Sequence, residues 1–277
     1  MRGWPWPAFG GKRASDRGIV APAAPKRDRA LEHAIRHDRI ELRFQPQIEP
    51  GSGRIAGVEA LARWSEVESP EQLFARAEAV GLSERLSRYV QRKALQTMGS
   101  WHGQLAELRL SINLLPRDLD RPGYEQWLLA EIAQAGLRPE QVTAEIVESS
   151  LMADSLEVAG RLARLRAAGI RIAIDDFGTG YSSLAYLASL PLDAIKIDRA
   201  MIADIVGGSR DRIIVKAMIS LARELGLQVI VEGVENLAQL RLLEEWGCDL
   251  YQGFLGAAPL DEAELARFVA AAERSAA

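Results

Sequence analysis

The sequence predicts an α/β fold, a (β/α)8 barrel whose first strand runs antiparallel to the second. Apolar stretches of strand length alternate with amphipathic helical stretches, and eight such strands can be counted. Only a turn at residues 50–53 separates the first two strands. A parallel crossover needs about a dozen residues or more, so this pair must form an antiparallel hairpin. The length of 277 residues suits one barrel, which typically takes about 250 residues.

The elements follow in order along the chain. Strands are predicted near residues 41–48, 54–63, 108–113, 142–147, 170–175, 193–197, 228–232 and 249–253. Helices are predicted near residues 28–38, 83–101, 122–135, 153–168, 209–226, 235–246 and 261–273. A glycine follows each of four helical stretches, where a left-handed cap favours it: Gly136, Gly169, Gly226 and Gly247. If the first hairpin centres near Ser52, Gln45 lies about opposite Glu59.

Composition limits the function classes. The net charge of −4 carries no overall signature of nucleic-acid binding, and no DNA binding is expected. Residues 1–29 hold seven Lys or Arg and two Asp, a charge of +5, which leaves −9 for the remainder. The single cysteine, Cys248, excludes an internal disulfide framework and favours a cytoplasmic location. No apolar run approaches the roughly 18 residues of a membrane span.

The chain is predicted to divide into a tail and one domain. Residues 1–27 are basic and interrupted by proline, which predicts a disordered tail, and residues 28–273 are expected to form the barrel domain. Two interpretations of the tail stay open. It is either a solvated segment or one that contacts a membrane surface or a protein partner through Trp4 and Trp6.

Polar side chains recur where the predicted strands end, which in a parallel barrel is the usual place of the active site. The set comprises Glu59, Asn113, Glu145, Asp175, Asp176, Lys196, Glu232 and Gln252. Any one of these acids could be a cap or an ion-pair partner, but the repetition at equivalent barrel positions indicates a site. Carboxylate and amide oxygens favour hard divalent cations, Mg²⁺ or Mn²⁺. The three histidines fall in helical or loop segments, which argues against a histidine-bound zinc site.

The adjacent acids Asp175 and Asp176 repel each other, so a buried pair needs a nearby cation. Gly178 and Gly180 would let the loop that follows swing over the metals, although an ordinary strand-to-helix turn explains them equally well. Lys196 could be a buried ion-pair partner; beside metals it would neutralise developing charge or orient a water. An oxygen-rich site of this kind suggests phosphoester hydrolysis with two metal ions.

Several motifs, taken in order, resemble the EAL family of cyclic di-GMP phosphodiesterases. They are Glu59-Ala60-Leu61 with Arg63 and Trp64, residues 175–184 (DDFGTGYSSL), Lys196-Ile197-Asp198, Glu232-Gly233-Val234-Glu235 and Gln252-Gly253-Phe254. The first tripeptide alone is almost uninformative, whereas the ordered set, which spans about residues 31–260, is highly specific. The resemblance implies a modified TIM barrel with one antiparallel strand. It also implies hydrolysis of cyclic di-GMP to linear pGpG, with two Mg²⁺ or Mn²⁺ ions.

The resemblance assigns roles by position. The implied metal ligands are Glu59, Asn113, Glu145, Asp175, Asp176 and Glu232. The implied catalytic residues are Lys196 and Glu232, which position or activate the attacking water, and Glu148, which supports the loop after Asp176. The implied substrate contacts are Gln45, Arg63, Asp176 and Gln252; Arg63 can offer a phosphate a fork of donors.

The sequence departs from the family pattern in several places, two of which follow. Val147 stands where the family usually has Thr, and Leu114 and Leu115 stand where a Ser is common after Asn113. No implied metal ligand is missing, which favours the enzyme over the alternative of a non-hydrolysing cyclic di-GMP receptor. An unrelated metal-dependent barrel hydrolase is the third possibility. By resemblance alone, a homodimer is a further expectation.

Overall fold

The structure is a computed structural model that describes residues 27–148, 155–178, 190–208 and 210–276. Within these ranges, eight strands form a closed barrel in which neighbours follow the order of the sequence. They are β1 Glu41–Ile48, β2 Ile55–Arg63, β3 Arg109–Leu114, β4 Val142–Val147, β5 Arg171–Phe177, β6 Ala194–Ile197, β7 Gln228–Val231 and β8 Leu250–Tyr251. The described helices are α1 Arg29–Arg36, α2 Pro70–Ala79, α3 Ser83–Gly99, α4 Pro116–Leu119, α5 Tyr124–Gln134, α6 Ser155–Ala167, α7 Arg199–Ile202, α8 Arg210–Glu224, α9 Leu237–Glu245 and α10 Glu262–Ala276.

The barrel has the predicted irregular first strand. β1 pairs antiparallel with β2, and Gln45 lies directly opposite Glu59. β1 also closes the barrel antiparallel to β8, through Ile48 and Tyr251. All neighbours from β2 to β8 are parallel. The predicted fold class is therefore confirmed, and the carboxyl ends of β2 to β8 meet at one mouth.

Three helices, α2, α4 and α7, were not predicted, and one strand is shorter than predicted. Helix α2 begins at Pro70, and the side chain of Ser69 caps it. Leu73 and Ala77 are its buried residues. Strand β8 is shorter than the predicted 249–253. The predicted tail, apart from Arg27, and Gly180 lie outside the described residues.

A layer of small and aliphatic side chains fills the barrel interior beneath the mouth. It consists of Ala56, Ala173, Ala194, Ile230 and Leu250, and it is separate from the larger core between the strands and the helices. Several of these residues stand two positions before a predicted site residue, as Ala194 stands before Lys196, and therefore share its face of the strand. The interior layer thus forms a packed base under the polar mouth. Among the described residues, no helix is both long enough and apolar enough to cross a membrane.

Candidate active site

Four carboxylates surround the ammonium group of Lys196 at the mouth of the barrel. The Lys196 Nζ lies 3.1 Å from Glu59 Oε2 and 2.8 Å from Glu145 Oε2. It also lies 2.9 Å from Asp175 Oδ1 and 2.8 Å from Glu232 Oε1. Lys196 has no exposed surface. Four residues predicted as metal ligands and one predicted catalytic lysine therefore form a single cluster.

The sheet register explains why these side chains meet. Asn113 at the end of β3 lies directly opposite Glu145 of β4, in the same layer of the barrel. The Asn113 amide Nδ2 donates to Glu59 Oε1 at 2.9 Å. Successive residues of a strand point to opposite faces of the sheet. A side chain at the mouth therefore lies an even number of residues after the interior residue beneath it on the same strand. Strands far apart in the sequence thereby contribute to one centre.

The cluster carries more negative than positive charge. Burial, with help from neighbouring carboxylates, raises the pKa of Glu145 well above its usual value and that of Glu232 to about 7. Burial alone would lower the pKa of Lys196, but the four carboxylates outweigh it and raise that pKa well above the usual value. At Glu59, burial is outweighed by Lys196 and the two amide donors, so its pKa is lowered. With all its acids ionised, the cluster holds four carboxylates against one ammonium group, an imbalance that a divalent cation would relieve.

The donor set fits metal ions. The Glu145 Oε1 atom is buried and has no hydrogen-bond partner among the described residues, so a strong acceptor is left for a further cation. Two overlapping groups of acids each bring ligand atoms within 4.8 Å of one another: Glu59, Glu145 and Asp175, and Asp175, Asp176 and Glu232. Asp175 belongs to both groups, so the arrangement suits two neighbouring oxygen-liganded ions.

Asp176 belongs to the second group of acids because its backbone has an unusual conformation. Its φ of 55° lies in the left-handed region, which non-glycine residues seldom adopt. Its N–H donates to Asp175 Oδ1 at 3.1 Å. Burial, followed by repulsion from Asp175, raises its pKa. The strained turn lets two consecutive acids face the same centre, although adjacent strand residues would normally point to opposite faces.

Glu148 contacts the chain after β5. Its Oε2 accepts the Gly178 N–H at 3.0 Å, and the residue is buried. Gly178 follows Asp176 and Phe177, so Glu148 lies against the start of the segment that it was predicted to support, and that role stays a prediction. Gly178 has a φ of 101°, a conformation that suits glycine.

The predicted substrate contacts divide into two places. Gln252 Nε2 donates to Glu59 Oε2 at 2.8 Å and to Gln45 Oε1 at 2.9 Å, so both glutamines border the carboxylate cluster. The Gln252 Oε1 atom is buried and accepts no hydrogen bond within the part of the chain that the structure describes. Arg63 lies four residues beyond Glu59, at the rim, in a depression of about 400 Å³ that Trp64 also lines. Burial lowers the pKa of Arg63, and one Nη donates to the Ala62 carbonyl.

Two glycines have a role that the sequence analysis left unassigned. Gly233 follows Glu232 with a φ of 67°, and a Cβ there would lie 2.3 Å from the Arg199 Cβ. Gly253 follows Gln252, and a Cβ there would lie 2.3 Å from the backbone of Val234. Only glycine allows these close approaches, which hold the site residues before them. In the sequence, the position of each glycine directly after a predicted site residue was the signal that could have identified it.

Fold and site together define a class of protein: an irregular (β/α)8 barrel with an acidic, metal-binding type of centre at the carboxyl ends of its strands. The chain belongs to the EAL domain family, whose model matches residues 28–259.

Named relatives are similar over most of this chain. The cyclic di-GMP phosphodiesterase NbdA of Pseudomonas aeruginosa is 39% identical over 246 residues, which cover 87% of this chain and 31% of NbdA. The chain thus spans about a third of that relative's length. The solved structure of the PaMucR phosphodiesterase in complex with c-di-GMP matches with a TM-score of 0.80 and 35% identity, covering 85% of this chain and 97% of that one. A manganese and c-di-GMP complex of Klebsiella pneumoniae BlrP1 matches with a TM-score of 0.73 and 35% identity, covering 80% of this chain and 56% of that one.

Proposed function

We propose that this protein is a metal-dependent phosphodiesterase that hydrolyses cyclic di-GMP to linear pGpG. The observation that carries the proposal is the cluster of four carboxylates around Lys196, in which one buried Glu145 oxygen has no hydrogen-bond partner in the described ranges. The relatives named for this activity support it.

The proposed metal ligands are Glu59, Asn113, Glu145, Asp175, Asp176 and Glu232. Two bound Mg²⁺ or Mn²⁺ ions would supply an activated water and charge stabilisation at the scissile phosphate. The choice between Mg²⁺ and Mn²⁺ is part of the proposal; the BlrP1 complex supports manganese as a metal of this family.

The chain's own groups have distinct tasks. Glu232 ends β7 at the mouth, with its Oε1 2.8 Å from Lys196 Nζ, and would accept a proton from the attacking water. Water adds to one phosphorus, the bond from that phosphorus to the 3′ oxygen breaks, and the ring opens. Lys196 is held charged by its neighbours and would offset the negative charge that develops on the phosphate oxygens. Gln45, Gln252 and Arg63 would orient the dinucleotide, and Glu148 would hold the segment that begins at Gly178.

The test is turnover of cyclic di-GMP by the purified protein with Mg²⁺ or Mn²⁺, followed by chromatography of the products. We expect pGpG with metal and none with EDTA. Glu59→Ala and Glu232→Ala should each abolish turnover, whereas Glu224→Ala, a change of an exposed acid at the end of α8, should not. Tight binding without turnover with either metal would instead indicate a receptor.

Other expectations are part of the same proposal. We place the barrel domain at residues 28–273, which the family match over 28–259 supports. A cytoplasmic location, a homodimer, and contact of the basic tail with a membrane surface or a protein partner are further proposals. Comparison of the full chain with a variant that lacks residues 1–27, by turnover and by light scattering, would address the last two.

A further inference from the structure

A buried polar network lies behind Asn113, on the side away from the carboxylate cluster. Gln91 of α3 is 1% exposed, and its Nε2 donates to the Asn113 main-chain carbonyl at 3.0 Å. Asn113 itself is exposed at the mouth, where its side chain reaches Glu59. Gln91 therefore holds the backbone of this proposed metal ligand in place from the protein core.

Gln91 is in turn held by its neighbours. The Tyr124 hydroxyl donates to Gln91 Oε1 at 2.9 Å, and Gln91 Nε2 also lies 3.0 Å from Ser87 Oγ and 3.2 Å from Asp118 Oδ2. Ser87 Oγ donates to the same Asp118 oxygen at 2.6 Å. Tyr124 and Asp118 are fully buried and Ser87 is 2% exposed. Breaking a hydrogen bond in a network so enclosed would leave a buried polar group unpaired, which is costly.

Asp118 extends the network to the chain just after Asn113. Its Oδ2 accepts the Leu115 N–H at 3.0 Å. Leu115 is the N-cap residue of helix α4 and Asp118 is the third residue of that helix, so the carboxylate reaches back to the N-cap N–H as in a capping box. The network therefore bonds to the backbone on either side of Leu114, the last residue of β3: to the Asn113 carbonyl and to the Leu115 N–H.

We propose that Gln91 is a positioning residue for metal binding, which acts through the backbone of Asn113 and is held by Asp118, Ser87 and Tyr124. The inference rests on the proposed function, because it needs Asn113 to bind a metal ion. A metal ligand with a mobile backbone loses affinity, whereas the chemistry at saturating metal depends on groups that the network does not touch.

The test is Mn²⁺ binding to the protein without substrate, measured by isothermal titration calorimetry. Gln91→Met keeps the size of the side chain and removes its donor. We expect its Kd for Mn²⁺ to rise roughly tenfold, the lower end of the range for residues that hold metal ligands in place. The kcat at saturating Mn²⁺ should stay near that of the wild type. The matched control is Gln141→Met, because Gln141 also donates to a main-chain carbonyl, that of Ala106, at the opposite end of the barrel.

One further variant keeps the inference testable if Gln91→Met folds poorly. Tyr124→Phe removes only the hydroxyl that donates to Gln91 and should raise the Kd in the same direction by less.

The outcomes separate the two proposals. If the wild type binds Mn²⁺ and Asn113→Ala weakens binding, but Gln91→Met and Tyr124→Phe both bind like the wild type, the positioning role is overturned and the proposed function stands. A wild type that binds no Mn²⁺ overturns the proposed function and the inference together. An equal loss of affinity in Gln141→Met would show a general effect of destabilisation and would also overturn the positioning role.

Discussion

Replacement of Lys196 by methionine should destabilise the metal-free protein strongly. The Lys196 Nζ is within 3.1 Å of four carboxylate oxygens and has no exposed surface. Its loss leaves buried carboxylates without a compensating cation, and removal of one partner of a buried ion pair typically costs about 3–5 kcal/mol. We expect a loss of that size in the free energy of unfolding in EDTA near pH 8.

The loss should depend on pH and on metal. At lower pH the carboxylates can take up protons, so the difference between Lys196→Met and the wild type should shrink. Metal that binds only the folded state stabilises it by about 2.7 kcal/mol at a hundredfold excess over the Kd. Because the variant's carboxylates lack their ammonium partner, Mn²⁺ should stabilise the variant more than the wild type.

The assay is urea denaturation followed by tryptophan fluorescence, with and without Mn²⁺. Lys93→Met is the matched control, because Lys93 Nζ lies 2.6 Å from the largely exposed Asp38. An ion pair of that kind contributes about 0–1 kcal/mol. If Lys196→Met in EDTA near pH 8 stays within about 1 kcal/mol of Lys93→Met, the reasoning about the cluster is refuted.

Three further predictions follow from the site. The metal-free wild type should lose roughly 2 kcal/mol of unfolding free energy as pH rises from about 5.5 to about 8. The pKa of Glu232 is raised to about 7 in the folded protein, so over this range the folded state gives up a proton that the unfolded state has already lost at lower pH. Urea denaturation would measure this, and a slope equally steep in Glu232→Gln would contradict the assignment. Gly233→Ala should lower both stability and kcat, because the alanine Cβ would collide with Arg199. The control is Gly226→Ala, at a glycine of similar φ with open space around it. This control should cost only about 1 kcal/mol of backbone strain and leave kcat unchanged. EDTA should abolish turnover and Mn²⁺ should restore it; turnover that survives EDTA would exclude metal dependence.

Sequence patterns predicted the barrel and most of its elements well. The short turn at residues 50–53 by itself required an antiparallel hairpin, and the register with Gln45 opposite Glu59 followed from its centre. Helix α2 was missed although Ser69 and Pro70 mark its start in the sequence. Strands needed no long-range information, since their length and apolar content are local properties.

The site was predicted as a set of residues but not as a geometry. The positions of Glu59, Glu145 and Glu232 at strand ends predicted that they share the mouth. That Lys196 would sit at the centre of four carboxylates depends on barrel closure and strand register. The left-handed backbone of Asp176 is likewise a tertiary result, since a local pattern would send adjacent strand residues to opposite faces.

The sequence by itself determined the fold class, the oxygen-rich chemistry of the site and the family resemblance, because these depend on residue types and their spacing along the chain. Tertiary structure alone decided which charges meet, which oxygen of Glu145 is left without a partner, and how Gln91 reaches the backbone of Asn113. The physical reason is that charge balance, burial and hydrogen-bond satisfaction depend on atoms brought together from strands and helices distant in sequence.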